Sequence, residues 1–506
     1  MSPKPYRKRH VGLRGKRRTT SLVRCAVPSK PMSADVKALL PSTVSLCEAA
    51  ELLQRNGSAH AFTSACLATV ESSMASFNGF VRTRREQALR QAARLDQKKH
   101  DGAQCGALHG VPLAHKDMFF HVGELAECGS RILGGFHPNH TATVIQRLAN
   151  AGAVDLGALH MAEFAMSPTG FNAHLGHGQN PWSRKHVTGG SSSGSGAAVA
   201  ARLVFGALGS DTGGSVRIPA AACGVTGIKP TQYAVSTYGV MPLSPSLDCV
   251  GFLAQTARDC ARLLTAVSGP DANDPDCLAT RQRNYEAGLD RPLTRADVVM
   301  VPQFPADAPL TDEVRALVEQ AANDLASAGA TLRRVALPNF SEAGALATLV
   351  LGVEAASIHS EWLASRPDAY GAQVRRRIQR GLLYPATRYV DALRLRMQYQ
   401  ARFLADYLDE GHALLLPTLP CAVPTIQETT TGSEADIEAR FGNFSYWTRG
   451  INYLGLPALA LPAGFTANGL PNGVQLVGRP FSECTLLRIG HQFQQKTDWH
   501  RQRPPM

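Results

Sequence analysis

Residues 206–231 read GALGSDTGGSVRIPAAACGVTGIKPT, and the informative part is a pair of glycines followed by a serine. Gly213 and Gly214 lack a Cβ, so the chain can take backbone angles there that other residues avoid, turning several consecutive amides toward one point. Donors from Thr212, Gly213, Gly214 and Ser215 would then surround a position beside the Ser215 hydroxyl, as an oxyanion hole requires. Taken alone, the same letters describe a tight turn between a strand and a helix. Two other stretches bear on the choice.

The first is TGGSSSGSGAAVAA, residues 188–201, a Gly/Ser loop that runs into a helix-like segment. Such a loop can cradle a phosphate at a helix N-terminus, but a P-loop ends in Gly-Lys-Ser/Thr, whereas Gly196 is followed by Ala197 and Ala198. Residues 190–194 also match G-x-S-x-G, which would make Ser192 an elbow nucleophile; the preceding NPWSRKHVTGG lacks the apolar strand that an elbow needs. The second stretch is GVPLAHKDMF, residues 110–119, which carries Lys116. A serine hydroxyl is a poor nucleophile at neutral pH and needs a base. A lysine kept neutral by desolvation or nearby positive charge is one of the few side chains able to serve. The combination points to acyl transfer.

These residues together resemble the amidase signature family. Its hallmark is a GGSS-G loop, a (D/N)TGGS(V/I)R-P segment and G-x-K-P-T; this chain carries GGSSSG, DTGGSVRIP and GIKPT in that order. Ser215 follows Ser191 by 24 residues, and GVPLA-x-KD upstream supplies the lysine. The likeness continues through EFA (163–165), NPW (180–182), SLD (246–248), GLPAL-LPAGF (455–465) and GLPNGVQLVGRPFSE (469–483), spanning about residues 45–495.

By position, the resemblance implies that Ser215 is the nucleophile, that Ser191 is a bridging serine at a cis peptide bond, and that Lys116 is the base, with the oxyanion hole as above. It implies no cofactor and no metal. The fold it implies is α/β: a single domain over residues 32–506, its motif core at about 105–260, with one large central mixed sheet covered by helices. The reaction implied is hydrolysis of a linear carboxamide C–N bond to a carboxylate and ammonia or an amine, through a serine acyl-enzyme. The alternative is the glutamine-hydrolysing catalytic subunit of a tRNA-dependent amidotransferase, which passes the ammonia to a partner protein.

Several neighbours need placing. His115 stands where the family has a small aliphatic residue, and strand alternation directs it away from Lys116. Asp211 and Arg217 flank the nucleophile and read as a buried structural pair, and Glu163 ranks below Lys116 for proton transfer. Aromatics cluster at Phe441, Phe444, Tyr446 and Trp447; the last three are the candidates for binding substrate, although neighbouring aromatics also make a core. Arg375, Arg376, Arg377 and Arg380 would suit an anionic substrate, but such a run on a helix mostly faces water.

Composition sets the remaining expectations. Nine of the 16 histidines fall between His109 and His186, including the pairs His137/His140 and His174/His177, yet no cysteine or carboxylate spacing completes a metal-ligand set. The 11 cysteines contain no CxxC pair, which argues for reduced thiols in a cytoplasmic protein rather than a disulfide framework. A 506-residue chain that is 44% hydrophobic can bury a large core, and AAVAARLVFGALG is interrupted by Arg202, so no membrane span is expected. The net charge of +12 suggests nucleic acid until it is divided: residues 1–31 hold ten Lys/Arg and no Asp or Glu, leaving 42 basic and 40 acidic residues in the rest. We read the tail as a disordered extension and a small amide as the binding partner, with homo-oligomerisation open. Ser45-Leu46-Cys47-Glu48 and Thr83-Arg84-Arg85-Glu86 have the form of capping boxes, the second heading a helix to about Lys99. GVPLA, AGAVDLGAL and HALLLPTL read as strands, and residues 312–328 as a helix.

Overall fold

The computed structural model describes residues 40–505, except residues 75 and 280, so the basic tail lies outside the described residues. Eleven strands build one sheet: β1 Phe80–Thr83, β2 Pro112–Lys116, β3 Val154–Leu159, β4 Gly206–Ser210, β5 Thr226–Lys229, β6 Val250–Ala254, β7 Val298–Gln303, β8 Thr331–Ala336, β9 Ala413–Pro417, β10 Ala458–Phe465 and β11 Pro471–Val477. Their order is β1-β3-β2-β4-β6-β5-β10-β11-β9-β7-β8. The sheet is mixed, with β3, β2 and β4 parallel at one side, β9, β7 and β8 parallel at the other, and antiparallel pairs between. Helices pack against it, as the α/β reading expects.

Every residue of β2 and of β4 is buried, which explains why PLAHK and GALGS show no apolar/polar alternation: strands covered on both faces lose that signal. The two strands run parallel in register, Leu113 opposite Gly206 and His115 opposite Leu208. Their carboxyl ends, Lys116 and Ser210, therefore emerge side by side, the usual place for a site in a parallel sheet.

The Gly/Ser loop enters the helix Ser193–Ala200, all eight of whose residues are buried. A Cβ on Gly194 would stand 2.4 Å from both the Gly79 carbonyl oxygen and the His160 amide nitrogen. Backbone approaches this helix too closely for a side chain, so the small residues serve packing rather than a phosphate.

One capping reading holds and one changes. The Ser45 box forms, with the Glu48 amide donating to Ser45 Oγ at 3.3 Å and the Ser45 amide to Glu48 Oε2 at 2.7 Å. The Thr83 box does not: Thr83 is the last residue of β1, opposite Gly157, and the Arg84 amide donates to the Leu156 carbonyl at 2.8 Å, so sheet pairing takes the residues that would have capped the helix Arg85–His100. The expected strand in HALLLPTL is β9, and the helix expected at 312–328 is Asp312–Ser327. One described helix, Ser341–Ile358, is long and apolar enough by composition to cross a membrane, which the sequence reading passed over. It packs against the helices Tyr446–Tyr453 and Ala372–Arg380, and its buried Glu354 accepts from the Ser244 and Tyr389 hydroxyls.

Candidate active site

The loop after β4 is held from beneath by one carboxylate. Asp211 Oδ1 accepts from the Gly214 amide at 2.8 Å, and Oδ2 from the amides of Val216 at 3.1 Å and Arg217 at 3.4 Å. The Arg217 guanidinium closes on both oxygens through Nε and Nη2, and neither side chain is exposed. Arg217 also donates to Gln475, Asn452 and the Thr448 carbonyl, fastening the loop to β11 and to the helix Tyr446–Tyr453. Burial alone would raise the Asp211 carboxyl; the paired guanidinium holds it well below the usual carboxylate range instead. Arg217→Met would leave that carboxylate buried without its partner, with an expected loss of about 3–5 kcal/mol. Denaturant unfolding measures it, and a loss under about 1 kcal/mol would show the pair to be dispensable.

This arrangement alters the expected oxyanion hole. The Gly214 amide is engaged by Asp211, whereas the amides of Thr212, Gly213 and Ser215 have no partner among the described residues. Three donors thus remain free instead of four. Gly214 is required for a different reason: its φ is +123°, and a Cβ there would stand 2.2 Å from Thr448 Oγ1. The Thr212 hydroxyl donates to Asp248, whose carboxyl burial pushes up to about 6.

Lys116 ends β2 with no exposed surface. Its Nζ donates to Ser191 Oγ at 2.7 Å and to Ser210 Oγ at 2.8 Å. Burial lowers its pKa to about 7, against the opposing pull of Asp248 and Asp211, so the amine is substantially neutral near physiological pH. Ser191 follows a cis peptide bond from Gly190. The Ser192 amide donates to the Ser215 carbonyl at 3.2 Å, which sets the two serine loops against each other. Ser215 is 8% exposed while Ser191 and Lys116 are sealed, so of the three it is the one that meets the adjoining cavity. Its hydroxyl makes no hydrogen bond with a described residue.

Ser210 was missed from the sequence. The signal was present in the strand pairing rather than in any motif: Ser210 closes β4 beside the end of β2, so its hydroxyl meets the lysine. Ser192, the elbow alternative, is buried and its hydroxyl donates to the Ser210 carbonyl at 3.3 Å. His115 faces away from Lys116, with Nδ1 at 3.0 Å from Asp155 Oδ1. Glu163 is sealed in a structural tie, accepting from Ser130 Oγ, His174 Nε2 and the Gly371 amide.

The cavity at Ser215 has a volume of about 290 Å³. Phe441 lines it; Phe444, Tyr446 and Trp447 do not. Trp447 is fully buried against Phe304 and Phe340 with Nε1 donating to the Pro309 carbonyl, while Phe444 packs in a small core with Ile218 and Leu419 and Tyr446 lies against the Trp447 ring. The chain breaks between the helices Glu434–Phe444 and Tyr446–Tyr453 at Ser445, and this turn rotates the aromatics into the core. The arginine run divides similarly: Arg375 pairs with Asp368 and Arg376 with Glu434, while Arg377 lines the cavity. No group of three or more His, Cys, Asp or Glu among the described residues could hold a metal ion, and the ten described cysteines are unpaired.

The Amidase family model matches residues 61–487. A glutamyl-tRNA(Gln) amidotransferase subunit of Neisseria gonorrhoeae is 38% identical over 483 residues, covering 91% of this chain and 99% of the relative. The solved peptide amidase of Stenotrophomonas maltophilia superposes with a TM-score of 0.77 at 29% identity, covering 92% of this chain and 98% of that one. A chain from a vestigial protein complex described with the origins of an s-triazine catabolic enzyme gives a TM-score of 0.83 at 31% identity, covering 89% and 98%. With the motifs, the mixed sheet and these likenesses in agreement, the chain belongs to the amidase signature family, enzymes that hydrolyse amide C–N bonds.

Proposed function

We propose that this chain cleaves a small linear carboxamide through an acyl-enzyme on Ser215. The observation that carries the reading is Lys116: a sealed amine with a pKa near 7, hydrogen-bonded to the serine that precedes the nucleophile in the relay. As Ser215 Oγ attacks the carbonyl carbon, its proton passes to Ser191, and the Ser191 proton to neutral Lys116. The oxygen that gains charge is received by the free amides of Thr212, Gly213 and Ser215. The relay then returns a proton to the nitrogen, the C–N bond breaks, and ammonia or an amine leaves. Water repeats the sequence on the ester and releases the carboxylate.

Two uses of this chemistry are open to the chain: hydrolysis of a free amide, or liberation of ammonia from glutamine for a partner protein. The match to the Neisseria amidotransferase, which runs through nearly the whole relative, supports the second more strongly than the structural likeness to a peptide amidase supports the first. Ammonia release should be measured for the purified chain with glutamine and with simple amides. Turnover that needs a copurifying partner would establish the glutamine use; efficient turnover of other amides by the chain alone would establish the free one. If no amide releases ammonia in either form, the proposal fails.

A further inference from the structure

A second cavity, of about 370 Å³, is lined on one side by the helix Arg85–His100 and on the other by the sheet, and no residue lines both it and the Ser215 cavity. The sheet side is apolar: Leu113 of β2 and Leu208 of β4, with Ile145 and Leu148 of the helix Thr143–Asn150 beside them. The facing side is polar. Arg84, Gln87, Gln91 and Arg94 line it at intervals of three and four positions, which puts them on one helical face. A helix laid on a sheet ordinarily turns an apolar stripe toward it. Here the buried residues of the helix are two alanines, Ala88 and Ala92, and the stripe that looks into the cavity carries amides and guanidinium groups.

Most of that stripe is already engaged. Arg84 Nη1 donates to Asp155 Oδ2 at 2.7 Å, and its Nε stands 3.3 Å from Glu124 Oε1. Gln87 Nε2 donates to the same Glu124 oxygen at 3.1 Å, and Gln91 Nε2 to the Ala153 carbonyl at 2.7 Å. Arg90, also in the lining, donates to Glu86 at 3.2 Å. Arg94 differs: it makes no hydrogen bond or ion pair with a described residue. One free guanidinium therefore shares this cavity with four aliphatic side chains.

We propose that the cavity is a ligand site, separate from the catalytic centre, for a small monocarboxylate with an apolar body of a few carbons. Arg94 receives the carboxylate through two parallel N–H donors, and the body lies against Leu113, Ile145, Leu148 and Leu208. The volume is that of a small-molecule pocket, and an apolar wall with few polar groups is the usual lining of one. The surrounding carboxylates select the headgroup. Asp155, Glu124 and Glu86 are taken up by Arg84 and Arg90, so a single negative charge matches the one free cation, whereas a dianionic phosphate would bring surplus charge toward three carboxylates. The site stands whether or not Ser215 forms an acyl-enzyme.

Calorimetric titration with hexanoate tests the proposal, with acetate, hexan-1-ol and hexyl phosphate as comparisons. Hexanoate is expected to bind with a Kd below about 1 mM, and about tenfold or more tightly than each of the other three. Arg94→Ser and Ala149→Trp alter exposed positions in the lining, so both should fold, as melting curves will check. The first should weaken hexanoate about tenfold or more; the second fills the space and should abolish binding. Both should release ammonia from amides at the wild-type rate. A carboxylate is also the product expected at Ser215, so Thr348→Trp, which fills that cavity from an exposed position, is the converse control, and hexanoate affinity should be unchanged in it. A Kd above about 1 mM, equal affinity for hexan-1-ol or hexyl phosphate, or binding that survives Ala149→Trp and disappears in Thr348→Trp would overturn the proposal.

Discussion

Replacing Lys116 with alanine is expected to lower kcat/KM for amide hydrolysis by about 10³- to 10⁴-fold and to erase the dependence of rate on pH near neutrality. The argument starts from burial. With its pKa lowered to about 7, Lys116 is neutral above that pH and protonated below it, so the wild-type rate should rise as pH increases through 7 and fall about tenfold per unit on the acid side. Lys116→Arg should not restore activity, since a guanidinium stays protonated and cannot accept from Ser191. Stability also rises with pH, over a higher range. The folded pKa lies below the 10.5 of a free lysine, so the unfolded chain binds the extra proton; the resulting penalty on the fold grows as pH falls from 10.5 to about 7 and is constant below. Its upper bound is on the order of 5 kcal/mol. Lys116→Met, inactive but close in volume, should therefore melt higher than wild type at pH 7 and lose that advantage by about pH 10.5. A pH–rate profile and melting curves of the three variants check both halves. Near-wild-type turnover in Lys116→Ala would eliminate the lysine as base.

What could be read from the letters and what could not divide along a physical line. The strand β2, the helix Asp312–Ser327 and the Ser45 cap depend on neighbours within a few positions, and local pattern identified them. The motif loops were legible because glycine pairs and small-residue runs have few uses, and the resemblance then assigned Lys116, Ser191 and Ser215 to one place; the structure brings Lys116 and Ser191 within 2.7 Å across 75 residues of sequence. Failures came where contacts and backbone geometry that no local pattern encodes decide a residue's surroundings. The Thr83 cap lost to pairing with β3, the Gly214 amide to a carboxylate three residues back, and the aromatics at 444–447 to a helix break that turns them inward. Ser210 was concealed in the motif itself, one residue before the aspartate, and only the parallel register of β2 and β4 brings its hydroxyl to the lysine.

Ser215→Ala is expected to abolish turnover, by about 10⁶-fold if the residue acts as the nucleophile of a serine relay. The change should leave the fold nearly untouched: the Ser215 hydroxyl makes no hydrogen bond with a described residue, and the loop is fastened instead by Asp211 and Arg217. Activity and stability are thus separable at this position, which they are not at Arg217. Ser191→Ala should be less severe, about 10²- to 10³-fold, because water can take part of the relay while nucleophile and amides remain. A fluorophosphonate should react with wild-type protein at Ser215 alone, more slowly in Lys116→Ala, and not with Ser192, whose hydroxyl is sealed against the Ser210 carbonyl. Peptide mapping of the adduct decides between the serines. Modification of Ser192, with Ser215 unlabelled, would restore the elbow reading and remove the Thr212, Gly213 and Ser215 amides from the reaction.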